Sequence, residues 1–573
     1  MSLFSVRRFN SVVANSLASA GYPASVARAL AARGVCHAQD LNGEIKDLLP
    51  PHLMKNCVEA GKLLAQCILE KKKIIIIGDY DCDGASGVAV GILGLRLLGA
   101  VFPDFLIPDR EKDGYGLSKF LVDRALMEKA EVLLTVDNGI SSVEAVKYAK
   151  EKGLTVIVTD HHLPADTLPE ADFIVNPNQH GDNFPSKALC GAGVMFYLLL
   201  ATRSALRELG LYSRVPQPNL LTLIDLVALA TIADVVPLDR NNRIIVTKGI
   251  ERIRQNKLQS GLSALLKVAG RNCFDISATE LAFSVAPRIN AAGRLSTNDL
   301  GVYCLISADA PTAFDFAQKL EELNKERKVK EREMQQDALS SIGTLDDPEA
   351  PAICLYDPTW HSGIVGLVAS RIKDSYYRPT IAFAPSAEEG REGEIKGSGR
   401  SINGIHLRDT LDLINKNHPG LILKFGGHSL AAGLTIKEND LPVFEKAFKK
   451  AVLKNAPSGT FVKNTLVDGE LAPSDFTMSV ANAIDSIVWG PSFPEPIFAN
   501  HFVVKNQKLL KDTHLKLDLE MDGVAVSGIW FRRKKPLPEK AYLAYKICVN
   551  QWAGRRTLQL IIEDMEDEEE RLL

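Results

Sequence analysis

The sequence is short of most features that would sort a 573-residue chain at a glance. No run approaches the ~18 uninterrupted apolar residues that a membrane span needs, so no membrane association is expected. Cysteine is scarce, at nine residues. None of the nine falls in CxxC or zinc-finger spacing, and their number is odd, as expected of idle thiols in a reducing compartment such as the cytoplasm. Acidic residues are missing before Asp40, where Arg7, Arg8, Arg28 and Arg33 stand among Ser and Ala, but no apolar core with a cleavage site follows the Arg pair. No repeat recurs at a period of about 20 to 50 residues. An excess of either charge is missing too: 67 Lys+Arg against 70 Asp+Glu leave a net charge of −3. That balance withholds the basic footprint of a small nucleic-acid-binding protein, and taken alone it favours an enzyme of small molecules.

What is present is a globular composition, 46% hydrophobic and 24% charged, with length for three or four domains at about 150 residues each. The stiff run Ile74 to Ile77 stops at Gly78, and small and apolar residues from Gly84 to Leu98 follow as a packed helix. The same strand, loop and helix recur with Glu131 to Val136 before Asp137-Asn138-Gly139, and a third strand, Thr155 to Thr159, ends in Asp160-His161-His162. Strands buried on both faces and alternating with helices predict a parallel α/β sheet. Residues 220 to 236 form a nearly all-apolar helical pattern broken by Asp225 and Asp234. The charged stretch from Pro311 to Gly343 reads as one helix about 48 Å long, suited to bridging two domains. A second α/β pattern runs from Ala352 to about Leu453, and after Pro457-Ser458-Gly459 the period becomes two, as in a small all-β domain. The tail Glu563 to Glu570 reads as solvated.

Open parallel sheets bind ligands outside the carboxyl ends of their strands. Here those ends carry Asp79, Asp81 and Asp83, then Asp137, then Asp160, His161 and His162. A single Asp after a strand is commonly a helix cap. Several carboxylates converging at one edge repel one another at a cost of several kcal/mol unless cations hold them ionised. Oxygen-rich ligation with imidazole points to magnesium or manganese rather than zinc, and manganese suits the mixed set best. Two such ions about 3.5 to 4 Å apart are the arrangement of phosphoester hydrolysis. Cys82 sits among alternating ligands and is expected to turn away into the fold. Between Asp225 and Asp234, in one apolar helix, the residues themselves offer no choice.

DYDCDG (79 to 84), VDNG (136 to 139), DHH (160 to 162) and ATIADVVPL (230 to 238) resemble the four motifs of the DHH phosphoesterase superfamily. With APRINAAGR (286 to 294), WHSGIVGLVASR (360 to 371), GSGRS (397 to 401) and FGGHSLAAG (425 to 433), the chain is similar from about residue 22 to 565 to the superfamily's bacterial single-strand-specific DNA exonucleases. The resemblance implies metal ligation by Asp81, Asp83, Asp137, His161 and Asp234, and so favours Asp234 over Asp225. It implies catalytic roles for Asp79, Asp160 and His162, with His162 over the scissile phosphate. Phosphate recognition is expected of Arg110, Arg288, Arg294, Ser398, Arg400 and Ser401, where planar guanidinium forks and a Gly-rich turn suit anions. His361 and His428 are expected in the same pocket.

The implied architecture is a DHH catalytic domain with an N-terminal helical segment (1–310), a bridging helix (311–343), a DHH-associated α/β domain (344–456) and an oligonucleotide-binding-fold-like barrel with the acidic tail (457–573). Such barrels track a strand with cations and stack bases on aromatics. Trp530, Phe531, Arg532, Arg533, Lys534 and Lys535 supply both, with Trp552, Arg555 and Arg556 as a second cluster. The function implied is 5′ to 3′ hydrolysis of single-stranded DNA to 5′ mononucleotides with two divalent cations, manganese or magnesium. A monomer served by a helicase and a single-strand-binding protein is the expected setting. A small-substrate phosphoesterase would share the first four motifs but would not need the barrel; a scaffold that had lost its ligands would not keep every carboxylate and both His.

Overall fold

The structure, a computed structural model, describes the chain except Met1, Asn42, Arg214 and residues 110–115, 296–298, 343–349, 387–389, 553–554 and 567–573. It opens with a short strand, β1 (Ser2–Val6), followed by helical segments up to Leu69. Five strands, β2 (Ile74–Ile77), β3 (Asp104–Leu106), β4 (Val132–Val136), β5 (Thr155–Thr159) and β6 (Phe173–Val175), then form a parallel sheet in the order β3-β2-β4-β5-β6. Alternate side chains serve opposite cores. Ile74 and Ile76 pack with the helices Cys82–Leu98 and Gly191–Glu208, while Ile75 and Ile77 pack with Lys119–Met127 and Val143–Glu151. The chain leaves β2 to one side for β3 and returns to the other for β4. The carboxyl ends of β2 and β4 therefore flank a topological switch point, where a crevice opens between the loops.

The apolar stretch becomes a turn, Leu220–Leu223, and a buried helix, Ile224–Ala233. Asp225 stands in its first turn, fully buried, with Oδ2 accepting the Gln259 N–H at 2.7 Å and Oδ1 unpartnered. Burial pushes its carboxyl up to about 6. The group is protonated in both folded and unfolded chains below about pH 4, so it costs nothing there; the cost grows as pH rises to about 6 and is constant above, up to about 3 kcal/mol. Asp225→Asn is therefore expected to flatten the fall in thermal stability across that window. A melting midpoint with the same pH slope as the parent would rule this out.

The bridging helix spans Ala310–Ile342, its first half packed on the first sheet's helices and its last turns, with Met334 and Ala338, in the core of the second unit. That unit is a mixed sheet of β7 (Ile353–Tyr356), β8 (Thr380–Pro385), β9 (Glu394–Arg400), β10 (Lys424–Gly427) and β11 (Ala431–Lys437), ordered β10-β11-β9-β8-β7. The helix Val365–Tyr376 covers one face, and Leu407–Asn417 with Leu441–Asn455 the other.

The strand β12 (Lys463–Val467) pairs in parallel with β1, joining the first residues to the segment that leads into the last domain. A closed barrel follows, β13 (Phe498–Leu510), β14 (His514–Met521), β15 (Val524–Trp530), β16 (Lys540–Trp552) and β17 (Arg555–Met565), closed by a short parallel pairing of β15 with β17. It shares its apolar core with the N-terminal helices. The ion pair of buried Arg33 with Asp468 is two-pronged at 2.7 and 2.8 Å, and Arg243 lies 4.6 Å from the Phe493 ring. The described part of the tail, up to Glu566, departs from the expectation of solvated acid, and residues 567–570 lie outside the described residues. Glu563 to Met565 finish β17, and buried Glu566 accepts the Phe4 N–H at 2.9 Å, because β1 needs a partner on this edge.

Candidate metal centre and strand-binding surface

Each acidic loop is held by backbone geometry that the strand ends impose. Asp81 caps the helix Cys82–Leu98, its Oδ1 accepting the Asp83 and Gly84 N–H groups at 2.9 and 3.0 Å. Asp83 is turned inward, and its two oxygens accept the Gly191 and Ala192 N–H groups at 2.6 and 2.9 Å. Those amides open the helix Gly191–Glu208, a positive terminus suited to a carboxylate. Asp137 takes a left-handed conformation with φ of 62°, which Asp tolerates better than most residues. It presses against Gly191, where a Cβ would stand 2.4 Å from the Asp137 Cβ, so only glycine fits.

The side chains meet in overlapping sets. Ligand atoms of Asp79, Asp81 and Asp137, of Asp83, His161 and Asp234, and of Asp137, His161 and His162 each lie within 4.8 Å of one another. His161 Nε2 stands at the centre, 3.0 Å from Asp137 Oδ1, 3.6 Å from Asp234 Oδ2 and 4.0 Å from Asp83 Oδ2. Neither it nor Asp234 Oδ2 makes a hydrogen bond, although both are buried. Burial, then His162, push the His161 imidazole down to about 4, so it is neutral with a lone pair to give. Burial and the neighbouring carboxylates push Asp83 up to about 6 and Asp234 up to about 9, and raise Asp137 strongly. Asp234 also ends its helix, where the macrodipole opposes a negative charge. Crowded carboxylates around an unprotonated imidazole fit hard divalent cations bound through oxygen and one or two nitrogens. Cys82 is buried away from them, 4.0 Å from Ser86 Oγ, and burial raises its thiol well above the usual range.

Asp160, expected among the catalytic groups, spends its oxygens on neighbouring N–H groups. Its Oδ1 accepts the His161 and His162 N–H groups and sits 2.8 Å from His162 Nδ1, while Oδ2 accepts the Ile140 N–H at 2.9 Å. Its acceptor sites are thereby committed to holding His161 and His162 in place. Burial disfavours the His162 imidazolium, but the Asp160 carboxylate outweighs it and the His162 pKa is raised.

Four asparagines and a Gly-rich helix start complete the site without having been singled out in the sequence. Asn176 and Asn178 donate to the His162 and His161 carbonyls at 2.9 and 2.6 Å; Asn138 donates to Ile77 and Val136; Asn290 accepts the Cys82 N–H at 2.7 Å. Asn176-Pro177-Asn178 follows β6, another carboxyl strand end, and that position was the available signal.

The phosphate candidates separate. Ser398 and Arg400 stand on one face of β9, Arg400 Nη1 3.1 Å from Ser398 Oγ, both against the start of the helix Val365–Tyr376 at Gly366. His361 accepts the Gly363 N–H in the same loop, and His428 is exposed on the turn after β10. Ser401 instead donates to the Ile405 carbonyl inside its own turn, because its side chain points to the opposite, buried face. Arg288 is buried with Nε 2.7 Å from Glu321 Oε2, and Arg294 donates to the Gly363 carbonyl at 2.8 Å, tying the two α/β units together. Arg110 lies outside the described residues.

On the barrel, Trp530 is covered by the guanidinium of Arg533 at 4.5 Å, so its ring face is taken; Phe531 beside it is half exposed. Arg532 has burial and Arg371 lowering its pKa, which places the 530–535 turn beside the helix Val365–Tyr376. Lys534 and Lys535 are exposed, as are Arg555 and Arg556, and the Trp552 side chain lies outside the described ones.

Three family models match in order: the DHH family N-terminal domain over residues 73–231, the DHHA1 domain over 349–454 and the RecJ OB domain over 467–564. The chain is 43% identical to the single-stranded-DNA-specific exonuclease RecJ of Escherichia coli K12, covering 95% of this chain and 96% of that protein. It is 33% identical to the RecJ of Thermus thermophilus over 93% of this chain and 74% of that one. The crystal structure of the Thermus thermophilus protein in complex with Mn2+ superposes with a TM-score of 0.83 at 30% identity, covering 99% of this chain and 80% of that chain. Its Mg2+ complex does so at 0.77 and 29%, covering 99% and 78%. Identity of this degree, carried end to end through the sheet, the bridging helix and the barrel, makes the chain a member of the RecJ family of single-stranded-DNA-specific exonucleases.

Proposed function

We propose that the protein hydrolyses single-stranded DNA from the 5′ end, releasing 5′ mononucleotides. The observation that carries this is His161 Nε2, buried among Asp83, Asp137 and Asp234 without a hydrogen bond at the carboxyl ends of the parallel strands. Asp79, Asp81, Asp83, Asp137, His161 and Asp234 would hold two divalent cations, manganese or magnesium. The chemistry such ions supply when bound is Lewis acidity toward the phosphate and a lowered pKa of water.

The chain's own groups do the rest. Ser398, Arg400 and the amides of the helix start bind the terminal phosphate and set the direction of cutting. His162, held through Nδ1 by Asp160, offers a proton at Nε2 to the phosphate oxygens as the bond to the 3′ oxygen breaks. Four segments divide the work: residues 1–310 carry the metal ligands, 311–343 space the two units, 344–456 grip the 5′ end and 457–573 track the strand. We place the enzyme in the cytoplasm as a monomer, working on strands that a helicase opens and a single-strand-binding protein covers.

Purified protein incubated with manganese and end-labelled single strands, duplexes and dinucleotides tests the reading. A 5′-phosphorylated single strand should yield mononucleotides and shorten from its 5′ end, with no reaction in EDTA. Cleavage of the dinucleotide alone would identify a small-substrate phosphoesterase instead. Because the barrel shares a core with the N-terminal helices, its role is better tested by Arg533→Ala than by truncation. That variant should lower affinity for long strands by a few-fold and make the remaining binding less salt-sensitive; unchanged salt dependence would exclude the contact.

A further inference from the structure

The helix that follows residue 280 begins with a π turn, Leu281–Val285, before continuing as Ala286–Leu295. Wide turns of this kind re-aim side chains and gather at functional sites. Leu281, Val285, Ile289 and Ala292 face the core, whereas Pro287, Asn290 and Arg294 are half-buried on another face. That face looks into the inter-unit crevice, since Asn290 accepts the N–H of Cys82 in the acidic loop and Arg294 reaches Gly363 of the second unit. Phe283 continues the same stripe at the spacing i, i+4, i+7, i+11. It lies about 10 Å along the helix from Asn290 at 1.5 Å per residue. Its ring is 78% exposed, more than that of any other phenylalanine among the described residues.

Cations stand beside it, two of them paired: Arg271 donates from Nε to Ser284 Oγ at 3.1 Å and lies 3.2 Å from Glu280, and Arg288, one turn further on, is buried against Glu321 at 2.7 Å. Lys328 on the bridging helix has its pKa lowered by burial, then by Arg288 and Arg327. Exposed aromatics beside a run of cations are how proteins hold single strands without reading their sequence: the ring takes a base face and the cations follow the backbone.

We propose that Phe283 is a base-stacking residue for the single strand near its 5′ end, its ring against one nucleobase while the phosphates pass Arg271 and Lys328. The inference rests on the single-strand reading above and adds the specific contact. It is tested by fluorescence anisotropy of full-chain protein with 5′-phosphorylated 12-nucleotide strands in EDTA, which keeps the strand intact. Strands carrying one abasic site at each of the first six positions are compared with the complete strand.

Phe283→Ala should weaken binding of the complete strand by about tenfold. One abasic position should cost the parent a similar factor and cost the variant nothing. Phe283→Leu, which keeps apolar bulk without a π face, should behave as the alanine variant, and Phe283→Trp should retain parental binding. Phe102, nearly as open but at the amino end of β3 on the far side of the sheet, provides a control: Phe102→Ala should bind as the parent does. An abasic penalty equal in parent and Phe283→Ala, or parental binding by Phe283→Leu, overturns the proposal. Failure of the parent to bind any single strand overturns the functional reading itself.

Discussion

Asp137→Asn is expected to reduce hydrolysis at least about 10³-fold, more than the ~10 to 100-fold typical of a partner one step removed from a metal. The reason is positional. Asp137 Oδ1 lies 3.0 Å from His161 Nε2 and belongs to two of the three overlapping ligand sets, so one neutralised carboxylate spoils both. Asn is the right replacement because it, like Asp, tolerates the left-handed backbone at this position, whereas Ala would add strain to the loss of charge. Burial, then Asp83, hold the Asp137 carboxyl well above its ordinary range, so the metal-free site already disfavours a charge here and a neutral amide costs it little. The variant without metal should melt no lower than the parent, and the rise in melting midpoint that manganese gives the parent should largely vanish. A variant that melts well below the parent would instead mark Asp137 as a structural residue.

Asp160→Asn is expected to cost roughly 10² to 10⁴-fold in turnover while leaving manganese-induced stabilisation in place. Every acceptor site of Asp160 faces an N–H donor, from Ile140, His161 or His162. An amide must point its NH2 at one of these donors, which leaves buried groups unsatisfied at about 1 to 3 kcal/mol and removes the charge that fixes the His162 tautomer. Paired measurement separates the roles: Asp137→Asn loses both turnover and the manganese effect, and Asp160→Asn loses turnover only. Loss of the manganese effect in both would make Asp160 a ligand and refute its positioning role.

Much of this site is legible in the sequence because strand ends are local features. Ile74 to Ile77 must form a buried strand, and a turn directly after it exposes Asp79 to Asp83 at the sheet edge. The asparagines escaped notice because their work is done through carbonyls and amides of other segments: Asn178 supports His161 from beyond β6, and Asn290 supports Cys82 from a helix 208 residues away. Trp530 shows what sequence order leaves out. Sequence proximity to Arg and Lys suggested an open stacking face, yet the nearest cation, Arg533, folds back on the ring and closes it. Arg288, Arg294 and Ser401 stand in anion-like motifs, and the fold adds what the motifs do not list: Glu321 beside Arg288, the Gly363 carbonyl beside Arg294 and the Ile405 carbonyl beside the Ser401 hydroxyl.

By itself the sequence determined the strand periodicities, the acidic strand ends and hence an oxygen-rich cation site on a parallel sheet. Hydrophobic period and turn chemistry are properties of neighbouring residues, and neighbours are all a sequence lists in order. Between Asp225 and Asp234 the motif resemblance favoured Asp234, but only the tertiary structure gives the physical reason. Both sit in one apolar helix nine residues apart in the sequence, and no local rule distinguishes them. The fold buries the first turn of that helix against Gln259 and brings its last residue to 3.6 Å from His161, because the helix packs against the strand-end helix Cys82–Leu98 with its carboxyl end toward the crevice. The balanced net charge conceals a local excess in the same way: carboxylates gather at one sheet edge, a clustering that arises when distant segments pack together.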